Sequence, residues 1–188
     1  MQRKQFLSLL GLGVLGLGSS KAPMEPVKLY FKDDGTIPNS KYPLLLYRDV
    51  FTQRDDEGAA WLENRFAANN WTNSWRNGVY PFHHYHSTSH EVLGIYSGTA
   101  LLHLGGEQGQ KVEVRAGDII VIPAGVGHKN LGSAELGVVG AYPDGRSWDL
   151  NRGLPGERPQ TDKNIAALPI PSADPLQGKN QGLTALWT

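Results

Sequence analysis

Gly78-Val79-Tyr80-Pro81-Phe82-His83-His84-Tyr85-His86-Ser87-Thr88-Ser89-His90-Glu91 is the stretch on which the reading of this chain turns. His84 and His86 stand two residues apart, so on an extended strand both imidazoles project from one face. Phe82 shares that face, whereas His83 and Tyr85 share the other. The Ser87-Thr88-Ser89 run lets the chain reverse and bring Glu91 beside the pair. Leu93 and Ile95 have the parity of Glu91, which predicts an apolar interior beneath the histidines, with Tyr96 pointing away. A further histidine, His128, follows the turn Pro123-Ala124-Gly125, where proline fixes φ and glycine tolerates positive φ. Such a turn aims His128 back toward His84 and His86. All six histidines of the chain lie between His83 and His128. Three imidazoles and one carboxylate converging on a point suit a divalent first-row transition metal.

The candidate metal ligands are therefore His84, His86, Glu91 and His128. Either His90 or Glu91 could complete the set; the glutamate is favoured because its charge offsets a divalent ion in a low-dielectric interior. His90 then becomes a rim residue. It is a candidate catalytic proton shuttle, since an ordinary imidazole titrates near neutrality, or else an exposed structural histidine. His103 lies on a predicted strand with no convergent partner in the sequence and reads as structural.

Outward from this stretch, the text between Trp75 and Tyr142 consists of short apolar runs: Glu91–Tyr96, Thr99–Leu104, Lys111–Val114, Asp118–Ile122 and Leu136–Ala141. Ser97-Gly98, Gly105-Gly106, Ala116-Gly117, Gly125 with Gly127, and Gly132 separate them. Closely spaced short strands with turn residues between them predict an antiparallel sandwich or barrel. Ahead of them, Val27–Phe31 and Leu44–Tyr47 read as strands. From Thr52 to Asn69 the period changes: Ala59, Leu62 and Phe66 form one helical stripe, Thr52 with Asp55 can cap its start, and Asn69-Asn70 ends it. Trp61, Trp71 and Trp75 are expected to form a packing layer around this helix. After Tyr142, Pro143-Asp144-Gly145, Gly153-Leu154-Pro155-Gly156 and Pro169-Ile170-Pro171 exclude long regular elements. Trp148, Leu150, Ile165, Leu168 and Trp187 supply apolar anchors, so an extended arm across the barrel is predicted, with a short helix near Thr161–Leu168.

The 188 residues suffice for one full core. Lysine plus arginine and aspartate plus glutamate each number 18, so no basic excess points to nucleic acid. The absence of cysteine excludes disulfides, thiolate catalysis and zinc-ribbon motifs. Arg3 and Lys4 precede an apolar, glycine-rich run from Phe6 to Gly18, followed by Ser19-Ser20-Lys21-Ala22. This tripartite pattern describes an export signal, and the run is short for a membrane span. It also resembles a twin-arginine signal with Lys4 in place of the second arginine. The expected organisation is an export signal over 1–22, N-terminal strands and helix over 23–77, a barrel core over 78–145 and an arm over 146–188. The mature protein is expected outside the cytoplasm, in the periplasm, with no stable membrane span.

Two clusters carry a resemblance to the cupin superfamily. Gly78, His84, His86, Glu91 and Gly98 match the first half of its signature; Gly117, Pro123, Gly125 and His128 match the second. The usual closing asparagine is displaced, with Gly132 at its position and Asn130 nearby. More loosely, Trp75-Arg76-Asn77-Gly78 and Tyr142–Trp148 resemble the YjlB-like single-domain bacterial cupins. The resemblance implies an all-β jelly-roll barrel with the metal inside, here with an N-terminal helix and an extended C-terminal arm, and a homodimer.

Four protein ligands leave up to two open positions on an octahedral ion, able to take water, dioxygen or a chelating substrate. The leading expectation is an enzyme using Fe(II), Mn(II), Ni(II) or Zn(II) on a small organic substrate, by dioxygenase or isomerase chemistry. The alternative is a non-catalytic metal-containing cupin that binds a small ligand.

Overall fold

Alternation of side chains along each strand decides which layer they join. The computed structural model of the protein describes residues 24–188, so the export signal expected over 1–22 lies outside the described residues. Among the described residues the chain forms β1 (Val27–Leu29), β2 (Leu44–Tyr47), α1 (Asp55–Ala68), β3 (Trp71–Asn77), β4 (Glu91–Leu104), β5 (Gln110–Arg115), β6 (Ile119–Ile122), β7 (His128–Pro143), α2 (Gln160–Ala167) and α3 (Leu183–Leu186). The strands run in the order β1-β2-β6-β4-β7-β3, and β5 pairs with the far half of β4. Every ladder is antiparallel. Of the described residues, no helix is long and apolar enough to cross a membrane.

The barrel wall is buried on both faces. Leu44, Leu46, Leu93, Ile95, Ile120, Ile122 and Val138 point inward into one cluster. Their neighbours Leu45, Tyr47, Val92, Ile119, Val121 and Val139 point outward into a second. The inward placement of Leu93 and Ile95 follows the parity expected from Glu91, and Tyr96 packs on the outer cluster. α1 covers that outer face with Ala59, Leu62 and Phe66, the predicted stripe. Its start differs from expectation: Arg54 occupies the N-cap with no side-chain cap bond. Asp55, Asp56 and Glu57 instead place negative charge on the positive end of the helix dipole.

Two predicted separators lie within strands. β4 runs unbroken through Ser97-Gly98, where its pairing with β7 shifts register, and Gly132 lies inside β7. A glycine in a strand marks a bulge as readily as a turn, and here the bulges let two long strands bend around the barrel.

The C-terminal arm closes the outer face. α2 falls within the region predicted for a short helix, whereas the four-residue α3 was not expected. Asp174, fully buried, accepts hydrogen bonds from the Tyr47 hydroxyl at 2.8 Å and from the Leu183 amide at 2.9 Å. Trp187 lies 1% exposed against the outer cluster, and its indole N–H donates to the Pro43 carbonyl at 2.9 Å.

Candidate metal centre

His84 and His128 are each other's backbone partners. The His84 amide donates to the His128 carbonyl at 3.2 Å, and the His128 amide to the His84 carbonyl at 2.9 Å. Their ring centroids lie 4.0 Å apart. His86 is fixed by the turn that precedes His128: its carbonyl accepts the Gly125 amide at 2.8 Å. Gly125 sits at φ +91°, and a Cβ there would meet the Asn39 carbonyl oxygen at 2.3 Å, so this turn requires glycine. The ligand atoms of His84, His86 and His128 all lie within 4.8 Å of one another, and all three side chains are buried.

The outer nitrogens decide what the inner ones present. The Nδ1 of His84 faces the Phe82 carbonyl at 3.3 Å, and that of His128 faces the Val126 carbonyl at 3.1 Å. The Nδ1 of His86 faces the Asp149 carbonyl. A carbonyl can only accept, so each Nδ1 carries the hydrogen and each Nε2 turns a lone pair inward. Glu91, at the start of β4, brings Oε2 to 3.3 Å from His128 Nε2 and 3.5 Å from His86 Nε2. This oxygen is buried with no hydrogen-bond partner among the described residues. Its sister Oε1 accepts from the Tyr142 hydroxyl at 2.9 Å, and that hydroxyl in turn accepts from the Trp75 indole N–H at 2.8 Å.

Inward-facing lone pairs around an orphaned carboxylate oxygen repel one another unless a cation or proton lies between them. Burial and the neighbouring His128 and His86 hold His84 down to about 2. Burial pushes Glu91 up, but His86 and His128 outweigh it and keep its carboxyl below the usual range. Burial pushes His86 down, but Glu91 outweighs it, so that imidazole is raised. The donor set, three neutral nitrogens and one carboxylate oxygen, fits a first-row divalent ion.

A cavity of about 570 Å³ opens onto these four residues, walled by Leu93, Trp75, Tyr80, Tyr142 and Trp148. Its volume suits a small organic molecule. Trp75 therefore belongs to the cavity, unlike Trp71 in the outer core and Trp61 stacked on Phe51 at 4.9 Å. Trp75 pairs across the sheet with Gly140, where a Cβ would meet the indole at 2.2 Å.

His90 does not reach the cavity rim. It is 4% exposed, its Nδ1 accepts the Ala124 amide at 2.9 Å, and its ring lies 4.9 Å from that of Trp187. The reason is parity: next to Glu91, it must face the other side of the wall. The expected rim or exposed position is corrected to the outer layer. Burial pushes its imidazole down to about 4.

Sequence reasoning missed Tyr142, Trp148 and Asp149 as parts of this site. Tyr142 shares the inward parity of Val138 on β7, a signal that was available. Asp149 had none: its carboxylate accepts the Ser87 amide at 2.6 Å, the Thr88 amide at 3.1 Å, both hydroxyls of those residues and the Asn151 amide side chain. These bonds tie the arm to the turn between His86 and Glu91.

The cupin domain family matches residues 76–136 of this chain. An uncharacterized protein, YjlB of Bacillus subtilis (strain 168), is 42% identical over 160 residues, covering 84% of this chain and 94% of its own. Among solved structures, acireductone dioxygenase from Bacillus anthracis, with cadmium in its active centre, aligns with a TM-score of 0.35 and 19% identity. That alignment covers 48% of this chain and 61% of the dioxygenase. A Bacillus subtilis oxalate decarboxylase variant aligns at 0.35 and 18% identity, over 71% of this chain and 32% of its own. With the signature histidines and glutamate gathered inside an antiparallel barrel, and a relative matched along nearly its whole length, this chain belongs to the cupin family, among the YjlB-like bacterial cupins.

Proposed function

We propose that the protein is a metal-dependent cupin in which His84, His86, Glu91 and His128 hold one divalent transition ion, and that it converts a small organic substrate in the adjoining cavity. The observation that carries this reading is the buried Glu91 Oε2, unpartnered and facing the Nε2 lone pairs of His86 and His128. A bound Fe(II), Mn(II), Ni(II) or Zn(II) supplies Lewis acidity or, for a redox-active ion, dioxygen activation. The three imidazoles contribute neutral donors locked by backbone carbonyls, and Glu91 contributes the charge. Tyr142, fixed by Trp75, holds Glu91 at Oε1 and leaves Oε2 free for the ion. The aromatic walls exclude water and favour a substrate with an apolar body and a few polar groups.

Protein purified from its own host, assayed by elemental analysis, tests the metal. Turnover with hydroxylated and keto compounds, with and without dioxygen, tests the activity. Saturable binding without turnover would assign the same site to ligand capture instead. The reading extends to the leader: residues 1–22 direct export, and mass spectrometry of the mature chain should find its first residue within 19–23. Intact Met1 on cytoplasmic protein would refute this.

A further inference from the structure

His83 and His103 lie on the far side of the same strands that carry the principal site. His83 follows the opposite parity to His84. His103 is the cross-strand partner of Lys129, the residue after His128. Their rings lie 4.9 Å apart, and the turn between β4 and β5 brings Glu107 over them, with Oε1 3.4 Å from His83 Nε2. The ligand atoms of His83, His103 and Glu107 all fall within 4.8 Å of one another.

Within this cluster His83 is not disposed as a spectator. Its side chain is nine-tenths buried, and neither ring nitrogen has a hydrogen-bond partner among the described residues. A buried imidazole without partners loses its hydration for no return. One of its nitrogens points at a carboxylate that is 73% exposed on a turn and free to adjust. His103, itself 5% exposed, stands beside it.

We propose that His83, His103 and Glu107 form a second divalent-cation site, back to back with the principal one and separate from it. Two imidazoles and one carboxylate select Zn(II), Ni(II) or Cu(II) over Mg(II) or Ca(II), whose preference is for oxygen. Water completes the shell on the exposed side. Lys129 competes for the same position, its Nζ lying 2.6 Å from Glu107 Oε1. Exposed ion pairs of this kind are weak, so the incoming cation displaces the ammonium, and Lys129 sets the affinity.

The test uses the full chain without an affinity tag, stripped of metal, dialysed against Zn(II) and analysed for zinc per chain. Two equivalents are expected for the wild type, one for Glu107→Gln and one for His103→Ala. Glu107 is exposed on a turn, so its variant folds even if the buried His103 variant does not. His86→Ala should also retain one equivalent, the one held at the second site. Lys129→Gln should keep two and tighten the second binding step about tenfold. Wild-type protein that takes one equivalent, lost on His86→Ala and kept on Glu107→Gln, overturns the proposal. Two equivalents that survive Glu107→Gln also overturn it. A single equivalent lost on Glu107→Gln and kept on His86→Ala supports the second site while refuting the principal one.

Discussion

Asp149→Asn is the perturbation that most directly tests how the arm supports the candidate metal centre. The carboxylate accepts from five donors on Ser87, Thr88 and Asn151. Asparagine keeps the shape and one acceptor oxygen but turns an NH2 group toward donors that Oδ2 now satisfies. Hydrogen bonds to a charged group each contribute roughly 1.5–3 kcal/mol and neutral ones about 1, so losing the charge and opposing one amide should cost about 3 kcal/mol. The Asp149 carbonyl also receives His86 Nδ1–H. Loosening it should weaken zinc binding about 10- to 100-fold, the usual effect of removing a ligand's outer partner. Urea denaturation at pH 7 reads the first effect, and competition with a chromophoric chelator reads the second. Burial pushes the Asp149 carboxyl up, but the bonds from Ser87, Asn151 and Thr88 outweigh it and hold it below its ordinary value. A depressed carboxylate stabilises the fold above its unfolded pKa of about 4 and loses that contribution as pH falls through the lower folded value. The gap between variant and wild type should therefore shrink below about pH 4. A loss under about 0.5 kcal/mol at pH 7, with zinc affinity unchanged, would refute the reasoning, since that is the range of ordinary surface substitutions.

The remaining predictions concern neighbouring residues. Tyr142→Phe leaves Glu91 Oε1 and the Trp75 indole without their partner, and should weaken zinc binding by about tenfold while costing about 1–2 kcal/mol in denaturation. Glu91→Ala should lose more bound metal than His90→Ala by elemental analysis; the reverse order would transfer the ligand role to His90. Gly140→Ala drives a methyl into the Trp75 ring and should cost about 1–3 kcal/mol, with a shift in tryptophan fluorescence. His90 stays neutral in the fold down to about 4, against an ordinary 6.5. The unfolded chain takes up its proton first, so stability falls between pH 6.5 and about 4, by up to about 3 kcal/mol, and levels off below. In metal-free protein His90→Asn should flatten that limb, and an unchanged slope would place the titration elsewhere.

What the sequence disclosed and what it hid divide along distance in the chain. His84, His86 and Glu91 were legible because strand parity is local, and α1 because Ala59, Leu62 and Phe66 repeat within one helix. His128 was legible through the turn chemistry of Pro123 and Gly125. Gly98 was misread because glycine serves bulges and turns alike. Tyr142 and Glu91 meet from 51 positions apart, and Ser87 and Asp149 from 62, through ladder registers that no short pattern encodes. His103 looked isolated for the same reason. Its neighbour His83 is brought to it by a ladder in which His128 pairs with both His84 and Leu104.

The carbonyl that orients His86 belongs to Asp149, 63 positions downstream, in a segment that regular secondary structure scarcely supports. A nascent chain that has emerged only as far as β7 already possesses every histidine, yet cannot hold one of them at its working angle. The full orientation of these imidazoles is therefore an epilogue to synthesis, completed when the last quarter of the polypeptide has wrapped into place.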